Sequence, residues 1–244
     1  MRIRNQQGRT ARHLAFGLSL LVVIAWCQPA LPPAAEAGNR TAVASQDKAR
    51  LLSSVVDGLQ NKYSRLQSLG ADFLQTYVGG DGRIATERGH VLLKRPGKAR
   101  WDYTEPEKKV FVSDGRVIYF HVWGEREALR SSVRESRDPQ IPFLFLLGRG
   151  NLRRDFSRIE ITSEASVERG GLVLLLVPRR APEEFKQLLA EVNPSTFEVT
   201  RLVIFNRNGA RMTFILSNVR ENQVAPDTQF SFKPPPGVTI RQAG

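Results

Sequence analysis

KRPGKARWDY, residues 94–103, reads as a turn that enters a half-buried strand. Pro96-Gly97 supplies the turn, and Ala99, Trp101 and Tyr103 alternate with Arg100 and Asp102, which gives the strand one apolar face. VSDGR, residues 112–116, follows. Asp114-Gly115 between two apolar runs signals a tight hairpin, because both central residues accept positive φ. Neither motif carries a nucleophile, a metal cluster or a phosphate loop. A conspicuous motif without reactive groups points to a shaped surface and a binding protein.

Working outward, the spacing of Leu51, Leu52, Val55, Val56, Leu59, Tyr63 and Leu66 predicts an amphipathic helix over Asp47 to Leu69, stopped by Gly70. Strands follow over 71–78, 90–94, 99–103, 110–113, 117–122, 156–162, 172–177, 185–192, 197–205 and 210–219. Gly79-Gly80-Asp81-Gly82 and Asn208-Gly209 mark hairpins between them. About ten strands at hairpin spacing predict one continuous antiparallel sheet that curls. Ile141-Pro142-Phe143-Leu144-Phe145-Leu146-Leu147, ended by Gly148, is apolar on every side. Pro142 suits the first turn of a short helix, and such a helix has to be covered by protein or ligand. It is either a core plug or a lid over an apolar cavity.

The N-terminus gives a compartment. Arg2, Arg4, Arg9 and Arg12 precede an apolar run from Leu14 to Trp26, too short to span a bilayer comfortably. Ala35-Glu36-Ala37 supplies a cleavage pattern, so residues 1–37 read as a cleaved signal peptide and 38–244 as a single domain. Cys27 is the one cysteine. Trp26 before it argues against an acylated cysteine, so an exported chain without thiols is expected. Loss of the leader leaves 207 residues and a formal charge of +9, since four arginines leave against Glu36. These charges are dispersed, with no run of five, which argues against nucleic acid and leaves a solvated face or a weak attraction to anionic lipid headgroups.

Catalysis finds little support. His90 and His121 have no partner at metal-ligand spacing, and no Gly-x-Ser-x-Gly elbow or Gly-rich phosphate cradle occurs. Asp102, Glu105 and Asp114 sit beside turns or point outward. No enzyme, cofactor or metal is expected.

The two opening motifs resemble the LolA family, the periplasmic carriers that take lipoproteins to the outer membrane. The resemblance extends to Ala71-Asp72-Phe73-Leu74-Gln75, to Glu105-Pro106, to Pro142-Phe143-Leu144, and to Phe230-Ser231-Phe232-Lys233-Pro234-Pro235-Pro236-Gly237-Val238. It implies a mainly β fold: a half-open antiparallel β-barrel covered by short helices that form a lid. The interior would hold acyl chains, lined by Trp101, Val112, Tyr119, Phe143, Leu144 and Leu146. Arg95 would be the lid clasp, bonding backbone carbonyls of Phe143 to Gly148. Ala99 stands where the family often has a bulky aromatic.

The partners implied are lipoproteins through their acyl chains, an inner-membrane ABC exporter and an outer-membrane receptor, with the carrier a periplasmic monomer. Snug burial of every methylene in a three-chain anchor, about 45 at ~0.8 kcal/mol each, would give ~36 kcal/mol. Non-covalent affinities saturate near roughly 18–21 kcal/mol, so a carrier that releases its cargo covers the chains partially. Three other readings are weaker. A LolB-like receptor is itself a lipoprotein, which Trp26 opposes. An RseB-like stress sensor carries a second domain, for which this length leaves no room. An envelope-lipid hydrolase needs a nucleophile–base pair.

Overall fold

Alternating strands, each with one apolar face, assemble into a single twelve-stranded sheet in the computed structural model. The structure describes residues 34–133, 150–164, 166, 170–180 and 185–243. Residues 1–33 of the expected signal peptide 1–37, with Cys27, lie outside them, as does the run 141–148 with Phe143, Leu144 and Leu146. Val43–Gly244 forms one compact unit.

Helix α1 (Ala34–Arg65) leads into β1 (Ser68–Val78), β2 (Ile84–Lys94), β3 (Lys98–Glu105), β4 (Lys109–Ser113), β5 (Val117–Val122) and β6 (Glu127–Ser132). A single turn, α2 (Leu152–Asp155), precedes β7 (Phe156–Ile161), β8 (Leu172–Pro178), β9 (Phe185–Val192), β10 (Val199–Asn206) and β11 (Arg211–Glu221). A 3₁₀ turn at Asp227–Phe230 and β12 (Thr239–Gln242) complete the order. The strands lie as β12-β6-β5-β4-β3-β2-β1-β11-β10-β9-β8-β7. The sheet does not close on itself, so the fold is an open β-barrel. Every pairing is antiparallel except that of β12 with β6, which is parallel.

Irregularities in register bend the sheet, at Gly70/Asp72 against β11, at Arg88/Gly89 against β3, and at Val199/Arg201 against β9. Such bulges raise local twist and curvature. The core fills the inner face. Phe73, Val91, Trp101, Phe111, Leu202 and Phe214 project there, and Val55, Val56, Leu59 and Tyr63 of α1 pack over them. The helix lies on the sheet because its apolar positions recur every three or four residues.

Four expectations change. The helix ends at Arg65, and Gly70 lies inside β1, where a Cβ would meet the Gln223 side chain at 2.1 Å. Leu66 and Leu69 keep the apolar spacing but belong to the junction and the strand. The Asp114-Gly115 hairpin places only Gly115 at positive φ (92°), while the Asp114 carboxylate accepts the Arg116 and Val117 N–H groups. Phe197 stands at φ 55° in the turn before β10. Strands β6 and β12 are additional to the ten that the sequence pattern marks.

Candidate functional site

Arg95 sits at the corner between β2 and β3, in the Pro96-Gly97 turn. Its own N–H donates to the Gln67 carbonyl at 2.9 Å. The guanidinium donates through Nε to the Leu66 carbonyl at 2.7 Å, and through Nη2 to the Tyr63 carbonyl. The last carbonyls of a helix lack intrahelical partners and carry the negative end of its dipole, so a half-buried cation with a fork of donors suits them. Arg95 therefore ties the end of α1 to the β2–β3 corner. The lid carbonyls of 143–148, which the resemblance assigned to Arg95, lie outside the described residues.

Trp101 is fully buried on the inner face. Phe73 meets it edge-on at 4.8 Å between centroids, Phe214 lies tilted at 5.3 Å, and Phe73 in turn meets Tyr103 at 5.0 Å. Phe111 is its register partner on β4. Ala99, also fully buried, faces Leu93 on one side and Ser113 on the other, so this position of the wall is small.

Val112 and Tyr119 are brought together, but away from Trp101. Val112 pairs with Arg100 on β3 and with Tyr119 on β5, and Arg100 lies on the face opposite Trp101. On that outer face the segment after β11 crosses the strands. Arg100 donates to the Gln229 carbonyl at 3.2 Å, and Phe232 stacks on Tyr119 at 5.3 Å. The inner-face positions of β4 and β5 are Phe111, Ile118 and Phe120. His121 is buried on the outer face with Nδ1 donating to the Glu127 carbonyl, and His90 pairs with Asp72.

A small cavity of about 30 Å³ opens between α1 and β8–β10, lined by Val56, Leu59, Tyr63, Leu174, Ala190 and Val199 among others. Gln60 and Leu152 line its edge. The Tyr63 hydroxyl accepts the Val199 N–H at 3.0 Å, and burial pushes the phenol well above its ordinary value. The Gln60 side chain joins α1 to the segment before α2. Its amide donates to the Gly150 carbonyl at 3.3 Å and its oxygen accepts the Leu152 N–H at 2.8 Å. Beside it Arg153 donates to Asp57 at 2.8 Å and to Ser53 at 2.9 Å, and this hydrogen bond holds the Asp57 carboxyl below its usual range. Ser53, Asp57 and Gln60 share a helix face through their spacing. The sequence reading missed them because polar residues opposite an apolar stripe look like an ordinary solvated face.

An open β-barrel with an apolar inner face, spanned by a helix that Arg95 ties down, defines a covered apolar surface. The family model described as "Outer membrane lipoprotein carrier protein LolA" matches residues 64–233. The chain belongs to the LolA family. An outer-membrane lipoprotein carrier protein of Yersinia pestis bv. Antiqua (strain Angola) is 27% identical over 193 residues, covering 79% of this chain and 90% of that protein. The carrier protein of Pectobacterium carotovorum subsp. carotovorum (strain PC1) is 24% identical over 199 residues, covering 81% and 93%. A solved LolA superfamily protein from Nitrosomonas europaea aligns with a TM-score of 0.44 at 16% identity, over 74% of this chain and 97% of that one.

Proposed function

We propose that this chain is a periplasmic carrier that takes up the acyl chains of lipoproteins on the inner face of its sheet. It receives them from an inner-membrane ABC exporter and delivers them to an outer-membrane receptor, acting as a monomer and by binding alone. The observation that carries this reading is the apolar inner face around Trp101, Phe73, Phe111 and Phe214, roofed by a helix whose end Arg95 clasps.

The cavity between α1 and β8–β10 is too small for an acyl chain. Ligand pockets run to roughly 300–1,000 Å³. The space under α1 is about 30 Å³, an order of magnitude short. Admitting an acyl chain means lifting α1 and the α2 segment, which breaks the Arg95 and Gln60 hydrogen bonds and exposes apolar surface. That opening cost offsets part of the burial energy of the chains, so cargo is held and still released. Phe143, Leu144 and Leu146 belong to the same reading as lid residues.

Incubation of the purified protein with spheroplasts tests it. The protein is expected to release lipoproteins into the medium as soluble one-to-one complexes. Spheroplasts that retain their lipoproteins in its presence would sink the carrier reading.

A further inference from the structure

The two ends of the inner face differ in chemistry. At one end Arg95 closes on α1. At the other, about 15 Å away along β3, four polar side chains interlock. The Tyr103 hydroxyl donates to Gln75 Oε1 at 3.0 Å, and Gln75 Nε2 donates to Glu87 Oε2 at 3.1 Å. Lys109 Nζ donates to Glu87 Oε1 and lies 4.5 Å from the centroid of the Tyr103 ring. The side chains of Glu87 and Lys109 are 19% and 17% exposed. Gln75 shares a face with Phe73, and Lys109 pairs with Tyr103, so the cluster belongs to the same surface as Trp101. Half-buried Tyr77 and Phe120 flank it.

Withdrawing an ion pair from water is costly, and mutual attraction repays it only in part. An ion pair on an otherwise apolar face calls for a reason beyond stability. Among the described residues Glu87 is the one hydrogen-bond acceptor of Lys109, whereas an ammonium has three donors. Its other sides face the Tyr103 ring at 4.5 Å and the Phe120 ring at 5.9 Å, so two donors meet aromatic faces that a ligand oxygen can displace. Glu87 cancels the charge. The pair therefore offers a strong donor with no net charge, which fits a neutral carbonyl oxygen better than a phosphate.

We propose that Lys109, held by Glu87, Gln75 and Tyr103, binds the ester or amide carbonyl at the polar end of an acylated ligand, whose chains then run along the inner face toward Trp101. This rests on the carrier reading. It fixes the direction of the cargo, with its polar end at Lys109 and its chain ends toward Arg95.

The test compares a triacylated lipopeptide with a pyrene-labelled alkane, which has a chain but no carbonyl, by fluorescence titration of the intact protein. Lys109→Met is expected to weaken lipopeptide binding tenfold or more, as loss of a charge-assisted hydrogen bond does, and to leave alkane binding unchanged. Lys109→Arg keeps the donors and the lipopeptide affinity. Phosphatidylglycerol, a second source of ester carbonyls, is expected to displace the lipopeptide poorly from the wild type and better from Glu87→Gln, where the ammonium is no longer neutralised. Equal losses for lipopeptide and alkane in Lys109→Met, or no loss for either, overturn the proposal. Equal displacement by phosphatidylglycerol and by unlabelled lipopeptide overturns the preference for an uncharged head. A wild type that binds neither lipopeptide nor alkane would instead bring down the carrier reading itself.

Discussion

Gly115 lies against Pro96: a Cβ built on Gly115 would stand 2.8 Å from the Pro96 carbonyl oxygen. The two motifs that stand out in the sequence are thus one corner, the β4–β5 turn seated on the turn that carries Arg95. Gly115→Ala meets both this contact and a φ of 92°. It should cost about 1–3 kcal/mol in urea unfolding, as a side chain forced into a left-handed position does. A loss well under 1 kcal/mol would show that the corner yields.

Arg95→Leu removes the donors from the Tyr63 and Leu66 carbonyls at the end of α1. Hydrogen bonds to a charged group contribute about 1.5–3 kcal/mol. Amide exchange over the last turn of α1 should accelerate while the β1–β4 amides stay protected. Loaded with lipoprotein, this variant should hold its cargo and hand it on poorly, because reclosing of the clasp no longer competes with bound chains. Unchanged transfer would remove Arg95 from the mechanism.

Tyr63→Phe leaves the Val199 N–H, at the start of β10, without its buried acceptor. An orphaned buried donor costs about 1–3 kcal/mol. The ring itself stays packed, so the loss should appear in global stability with the near-ultraviolet signal of Trp101 preserved. A neutral effect would mean that water replaces the hydroxyl.

Asp227 gives the structure an acid-sensitive contact. Lys94 and Lys98 each reach it at 2.7 Å, and their hydrogen bonds, Lys94 first, draw its carboxyl from 3.8 down to about 2. The folded value lies below the unfolded one, so the contribution is complete above about pH 4 and disappears as pH falls through 2. The stability difference between wild type and Asp227→Asn should therefore shrink between pH 4 and pH 2 and stay flat above. A constant difference over that range would count against the assignment.

Much of the fold is legible in the sequence wherever burial is one-sided. Strands β5 and β9 begin and end where the alternation says. Strand β6, Glu127–Ser132, lacks the β-branched and aromatic residues that mark a strand, and β12 is exposed along its length, so neither has a pattern to read. The open inner face with Trp101 follows from alternation. The placement of Val112 does not, because β4 is buried on both faces once the later chain covers its back. Gln75 was within reach, since it sits two residues from Phe73 on the same face. Its partners Glu87 and Lys109 come together only through strand register, which a single sequence does not display.

The segment from Ala225 to Gln242 works as a strap across the back of the barrel. Its residues touch β2 and β3 through Asp227, β5 through Phe232 and β6 through β12, whose strand runs beside Glu127 to Arg130. Splaying these strands apart would have to stretch that strap. One half of the sheet, β2 to β6, is thereby braced as a plate, while among the described residues this strap does not reach β7 to β10. A vessel braced on one side is expected to widen, if it widens, on the other.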